Sequence, residues 1–273
     1  THRMHKMDEM TDAEYRAYPA CNYSKLKHLT KSPLHYRHNV ESPPADNAAF
    51  RLGRATHCLV LEPFTFDQQF AVYEGKRDKR QKAYKAFLEQ VGDRDILSPQ
   101  EHELARAMAE VVSEHPWVAE LLAHPNTFTE KVSIWQDQAC ECKAKLDIVH
   151  YSEERGLIVA DLKTFFTTDP EQIRRQGAKF MWPIQHAHYL HAAAALFGVP
   201  LHTVEYKAYN IIVESAAPHD CTVVQWLDAT LDSAFLTHRS LLDTLAECEV
   251  TQSWPGRAHA GNVVQIEAPD YLL

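Results

Sequence analysis

The stretch CKAKLDIVHYSEERGLIVADLKTFF, residues 142–166, constrains this chain more than any other. Two apolar runs flank a polar turn, the pattern of two sheet strands joined by a short connection. Asp147 interrupts the first run, and Asp161 and Lys163 stand at the end of the second. Ionised groups among apolar neighbours cost several kcal/mol unless they are paired or bind a metal. Neighbouring strands lie about 5 Å apart, and residues two apart on a strand share a face. The two carboxylates and the ammonium can therefore meet at one point at the rim of a sheet. Two carboxylates form a hard oxygen site suited to Mg²⁺ or Mn²⁺. With a lysine beside it, such a site suits phosphodiester hydrolysis.

The surrounding pattern predicts mixed architecture. Residues 11–40 read as short helices, with Ser24 capping one and Ser32-Pro33 opening the next. ESPPADN is a loop, and AAFRLGRATHCLVLEP reads as a buried helix ending before Pro63. QFAVY is a candidate short strand. From KRDKRQKAYKAFLEQV to WVAELLAH the periodicity is helical, broken by DRDILSPQEHE, in which Ser98 and Glu101 fit a capping box. Strands follow at 129–136, 140–151 and 156–165. DPEQIRRQGAKF starts a helix, and PIQHAHYLHAAAALFGVP reads as another, stopped by Gly198. VEYKAYNIIVES is a further strand, and the whole of CTVVQWLDATLDSAFLTHRSLLDTLAEC reads as one long amphipathic helix. This order implies an α/β (α+β) fold, a mixed sheet flanked by helices.

Composition narrows the function. The chain has 273 residues and a net charge of −9. That sign argues against a sticky nucleic-acid binder relying on its whole surface, but allows a local basic channel. The basic run KRDKRQKAYK is equally well a channel lining or a solvated helix face. Of the six cysteines only Cys140 and Cys142 are close in sequence, which is no four-ligand metal or iron–sulfur set. Reduced cytosolic thiols are expected. The 17 histidines include no His-Glu-x-x-His. No apolar run approaches the roughly 18–20 residues of a membrane span, and the polar opening THRMHKMDEM offers no signal peptide. Residues 1–10 are expected to form a disordered tail, with Met4 or Met7 as the natural start, and residues 11–273 one domain.

The motifs SKLKHLTKSPLHY, GRATHCLVLEP, TEKVSIW, CKAKLDIV, IVADLKT and QHAHY together resemble the PD-(D/E)xK nuclease superfamily, and within it the RecE (exodeoxyribonuclease VIII) type of phage recombination exonuclease. The superfamily's proline before the first aspartate is Leu146 here. The resemblance implies roles. Asp147 and Asp161 would be metal ligands, joined by His57 and the Leu162 carbonyl. Glu130 would help hold a second metal or its waters. Lys163 would position or polarise the nucleophilic water. Gln185 and Tyr189, matching Gln-x-x-x-Tyr, would contact DNA. Ser24, Lys25, Arg37 and Arg54 are candidates for gripping a 5′-phosphate, although Arg54 could equally pair with a nearby acid. The implied activity is Mg²⁺-dependent (Mn²⁺ substituting) 5′→3′ digestion of linear double-stranded DNA. The implied assembly is a ring-shaped homo-oligomer, a trimer or tetramer. The implied partner is a single-strand annealing protein of the RecT or Red-beta kind, in the bacterial cytoplasm and of phage or prophage origin. The alternatives are a Cas4- or AddB-like nuclease and a catalytically silent DNA-binding scaffold.

Overall fold

The computed structural model describes residues 10–42, 46–257, 263 and 265–267. Nearly all of the expected N-terminal tail, and residues 43–45 of the expected loop, lie outside the described residues.

A five-stranded sheet organises the chain. β3 (Thr127–Gln136), β4 (Glu141–Ser152), β5 (Gly156–Phe165), β6 (Tyr206–Glu214) and β7 (Cys221–Gln225) lie in that order. The β5–β6 pair is parallel and the others antiparallel, so the sheet is mixed. The β5–β6 crossover runs through α9 (Pro170–Lys179) and α10 (Trp182–Phe197), and α11 (Asp228–Thr251) follows β7.

Alternation along β5 explains the two layers. Ile158, Ala160 and Leu162, with Ile211 and Val213 of β6, pack against α4 (Ala48–Leu61), α7 (Pro99–Glu114) and α8 (Pro116–Ala123). Leu157 and Val159 face α10 and α11, meeting Leu190, Ala193 and Leu231. A strand buried on both faces reads as a continuous apolar run, which is what GLIVA is. Each fully buried Leu or Ile contributes roughly 1.5–3 kcal/mol.

The N-terminal part is held to this sheet. α1 (Asp12–Ala17), α2 (Tyr23–Leu26), a 3₁₀ turn (Lys27–Thr30) and α3 (Pro33–Glu41) lead into α4. Lys143 of β4, 1% exposed, donates from Nζ to the carbonyls of Tyr15 and Tyr18. A lysine buried without a carboxylate is thus satisfied by the end of α1. A smaller unit comprises α5 (Phe66–Gln69), β1 (Phe70–Val72), α6 (Lys82–Val91) and β2 (Asp95–Leu97), with β1 parallel to β2.

Several expectations need correction. Asn22, not Ser24, caps α2, its side chain accepting from the Lys25 amide. Helix α6 starts only at Lys82, so the first half of the basic run is not helical. DRDIL contains β2. The segment CTVVQ is β7, and the long helix starts at Asp228. Ser32 with Pro33, and the Ser98–Glu101 capping box, are found as expected.

Candidate active site

The site lies where two strands part. The β4–β5 ladder ends at Ile148–Ala160, and one step beyond it Asp147 and Asp161 stand opposite each other. The backbone donor released by the split is not lost: the Leu162 N–H donates to Asp147 Oδ2 at 2.9 Å. Asp161 and Lys163 share the face towards α10, and Lys163 Nζ lies 2.6 Å from Asp161 Oδ2.

Asp161 is 2% exposed and fully engaged. Its Oδ1 accepts from Gln185 Nε2 at 3.0 Å, and its Oδ2 from Asn210 Nδ2 at 2.9 Å. Asn210 Oδ1 in turn meets Trp226 Nε1 at 2.8 Å and His186 Nε2 at 3.1 Å. Burial pushes His186 down to about 4, so at neutral pH it is uncharged and donates from Nε2. Gln185 also donates to the Tyr189 hydroxyl at 2.8 Å. Gln185 and Tyr189 therefore form the wall that fixes Asp161.

From the other side, α4 brings His57 to the fork. His57 Nδ1 is 3.5 Å from Asp147 Oδ2, and the Leu162 backbone also acts on the ring's protonation. Burial pushes His57 below its usual range. Glu130 arrives by a backbone kink: it has φ 53° inside β3, a left-handed conformation rare outside glycine. Such strain is concentrated at functional sites. It interrupts the β3–β4 ladder between Thr129–Ile148 and Lys131–Leu146 without shifting the register, and brings the carboxylate to the fork.

Ligand atoms of His57, Glu130 and Asp147 all lie within 4.8 Å of one another. Asp161 is outside that group, held by Lys163, Gln185 and Asn210. Burial, then the Asp161 charge, pushes Asp147 up to about 7. Burial, then the Asp147 charge, pushes Glu130 up to about 7. The pocket is therefore short of positive charge. Lys145, two residues before Asp147, supplies some of it, with Nζ 2.5 Å from Glu130 and 2.8 Å from Asp12 of α1. Carboxylate oxygens with one imidazole nitrogen fit Mg²⁺ or Mn²⁺. His57, Glu130 and Asp147 would hold such an ion, with Asp161 beside it.

The remaining candidates lie apart or are engaged elsewhere. Arg54 lines the same cleft, but Asp46 and Asp95 hold it at 2.8 and 2.7 Å. Arg37 pairs with Glu41. The Ser24 hydroxyl donates to Asn22 Oδ1, and Lys25 lies in the last turn of α2. Lys27, in the 3₁₀ turn after α2, has its pKa lowered by burial and then by the charge of Lys163. Lys145, Lys27 and Asn210 were missed in the sequence. Asn210, a lone amide in the apolar strand YNIIV, was the visible signal, and so was the same-face spacing of Lys145 and Asp147.

Two solved structures align with the chain, the first of them with a similar fold. One, described as "Putative exonuclease" from Eubacterium rectale, is 12% identical, with a TM-score of 0.62 over 97% of each chain. The other, SSO0001, is 11% identical, with a TM-score of 0.33 over 86% of this chain and 87% of that one. No curated protein matches the sequence. The family described as "PDDEXK-like domain of unknown function (DUF3799)" matches residues 22–267. The chain belongs to that family, within the PD-(D/E)xK nuclease superfamily.

Proposed function

We propose that this protein is a divalent-cation-dependent DNA exonuclease of the RecE type. It digests the 5′-ended strand of linear duplex DNA and leaves 3′ single-stranded tails for recombination by annealing. The observation that carries the hydrolase reading is the split of β4 from β5, which brings Asp147, Asp161 and Lys163 together beside His57 and Glu130. Polarity, a ring-shaped trimer or tetramer, and an annealing-protein partner rest on the motif resemblance.

When bound, Mg²⁺ or Mn²⁺ would lower the pKa of water and offset charge on the scissile phosphate. The chain's own residues do the rest. His57, Glu130 and Asp147 supply donors on one side of the fork. Asp161 is fixed by Gln185 and Asn210, and it holds the Lys163 ammonium at the mouth. From there Lys163 orients the attacking water and meets the charge developing on the phosphoryl oxygens. Lys145 neutralises Glu130 and stands at the same cleft.

The test is digestion of linear duplex labelled at the 5′ or the 3′ end, with Mg²⁺ and then with EDTA. Early release of the 5′ label, only with Mg²⁺, is expected, and covalently closed circles should survive. Early release of the 3′ label would contradict the polarity, and rapid attack on closed circles would contradict the ring.

A further inference from the structure

Just past Lys163 the surface turns aromatic. Phe166 is 56% exposed, Phe180 47% and Phe50 55%. Large apolar side chains so exposed in one place call for an occupant.

Their grouping follows from the fold. Phe165 is two residues beyond Lys163, about 7 Å along the strand. Its ring lies 4.4 Å from Phe166 and 6.3 Å from Phe180, centroid to centroid. Helix α4 runs antiparallel to β5: His57 meets Leu162, and four residues earlier a Cβ on Gly53 would sit 3.4 Å from Thr164 Oγ1. Nearly one turn before Gly53, Phe50 lines the same cleft as Gly53, His57 and Thr164. The turn presenting Phe180 is fixed from below. Met181 has φ 60°, and its carbonyl accepts the Tyr23 hydroxyl at 2.6 Å. The three phenylalanines thus lie along the Lys163 end of β5 and the cleft it borders, where Lys145 supplies a second cation.

We infer that Phe50, Phe166 and Phe180 form a stacking platform for the unpaired bases of a single nucleic-acid strand entering the site. This rests on the nuclease reading, which supplies a strand whose phosphate reaches Lys163. Every base offers a π-face, so aromatic side chains beside lysines bind single strands without reading sequence. Phosphates would run along the lysines and bases lie on the phenyl rings. A protein partner would instead need a broad apolar face, whereas these rings border a charged cleft.

The test is fluorescence anisotropy of a labelled short single strand with the full chain in EDTA, where no cleavage can occur. Phe166→Ala and Phe180→Ala should each weaken binding roughly fivefold or more. Phe166→Tyr should bind as wild type, and Phe166→Leu should bind as weakly as Phe166→Ala. Unchanged thermal melts would show that the variants are folded. Wild-type binding in both alanine variants, full binding by Phe166→Leu, or no binding by wild type would overturn the platform. A wild type that binds the strand yet cuts no nucleic acid with Mg²⁺ overturns the hydrolase reading instead.

Discussion

Two buried clusters of titratable groups lie on this sheet, and they are built on opposite plans. At the fork, Glu130 and Asp147 sit within reach of His57, and both carboxyls are pushed up to about 7. Under α11, His188 and His238 share a hydrogen bond of 2.9 Å, and His188 Nε2 donates to the Lys143 carbonyl at 3.0 Å. His188 Nδ1 is then the acceptor, so His238 donates. Burial pushes His188 down to about 4 and His238 to about 2. The histidine pair is neutral and satisfied from within. The acids satisfy each other badly and open on a cleft. A closed cluster specifies packing, while an open one short of counter-charge holds room for a ligand.

The two clusters should differ most in activity. Asp147→Asn keeps the shape of the fork but removes its charge. Turnover should fall roughly 10²–10³-fold, the usual cost of losing one charge-stabilising group. Steady-state digestion of linear duplex checks it. By contrast, His238→Ala should leave activity per folded molecule unchanged. It should cost about 2–4 kcal/mol of stability, because it opens a cavity and strands His188 Nδ1. Urea melts measure this.

The cation sharpens the contrast. Mg²⁺ at 100 times its Kd should stabilise wild type by about 2.7 kcal/mol. It should do much less for Asp147→Ala, and the same comparison in His238→Ala should show the full effect. Melting temperatures with and without Mg²⁺ decide.

The smallest effect is in the pH profile of the metal-free protein. The folded-state pKa values of His186, His188 and His238 lie below the unfolded value of about 6.5. The unfolded chain therefore binds more protons, and stability is lost as pH falls from about 6.5 towards 4. Asp147 and Glu130 have raised values, so the folded chain binds more protons between about 4 and 7. Their contribution is lost as pH rises through about 7. Between about pH 4 and 7 the two sets therefore oppose each other, and neither changes melting temperature further above about pH 7. In EDTA, Asp147→Asn should steepen the rise of melting temperature with pH across that window, and His238→Ala should flatten it.

The legible parts of the molecule are those where local pattern and tertiary role agree. β5 is found at 156–165 as expected, because a glycine opens a run that is apolar on both faces. Asp147, Asp161 and Lys163 stood out because charge in an apolar pattern is costly and so informative, whereas His57 entered only through the motif resemblance. β7 was not visible: CTVVQ runs straight into a helical pattern, and only pairing with β6 makes it a strand. β2 is three residues long, too short for any period to register. The arrival of Glu130 at the fork depends on a left-handed backbone that no residue type in TEKVS announces. Arg54 shows a further limit, since its partners Asp46 and Asp95 come from separate loops that only the fold brings together.

A catalytic fork requires Lys163 to act there beyond holding structure. The most direct test compares wild type with Lys163→Ala on 5′-labelled linear duplex at saturating Mg²⁺, with Mg²⁺ binding to both measured by calorimetry. Lys163 is partly exposed at a strand end, so its truncation opens no core cavity. The account predicts Mg²⁺ binding within a few-fold of wild type and turnover lowered at least roughly 10²-fold. Turnover in Lys163→Ala close to wild type would contradict it.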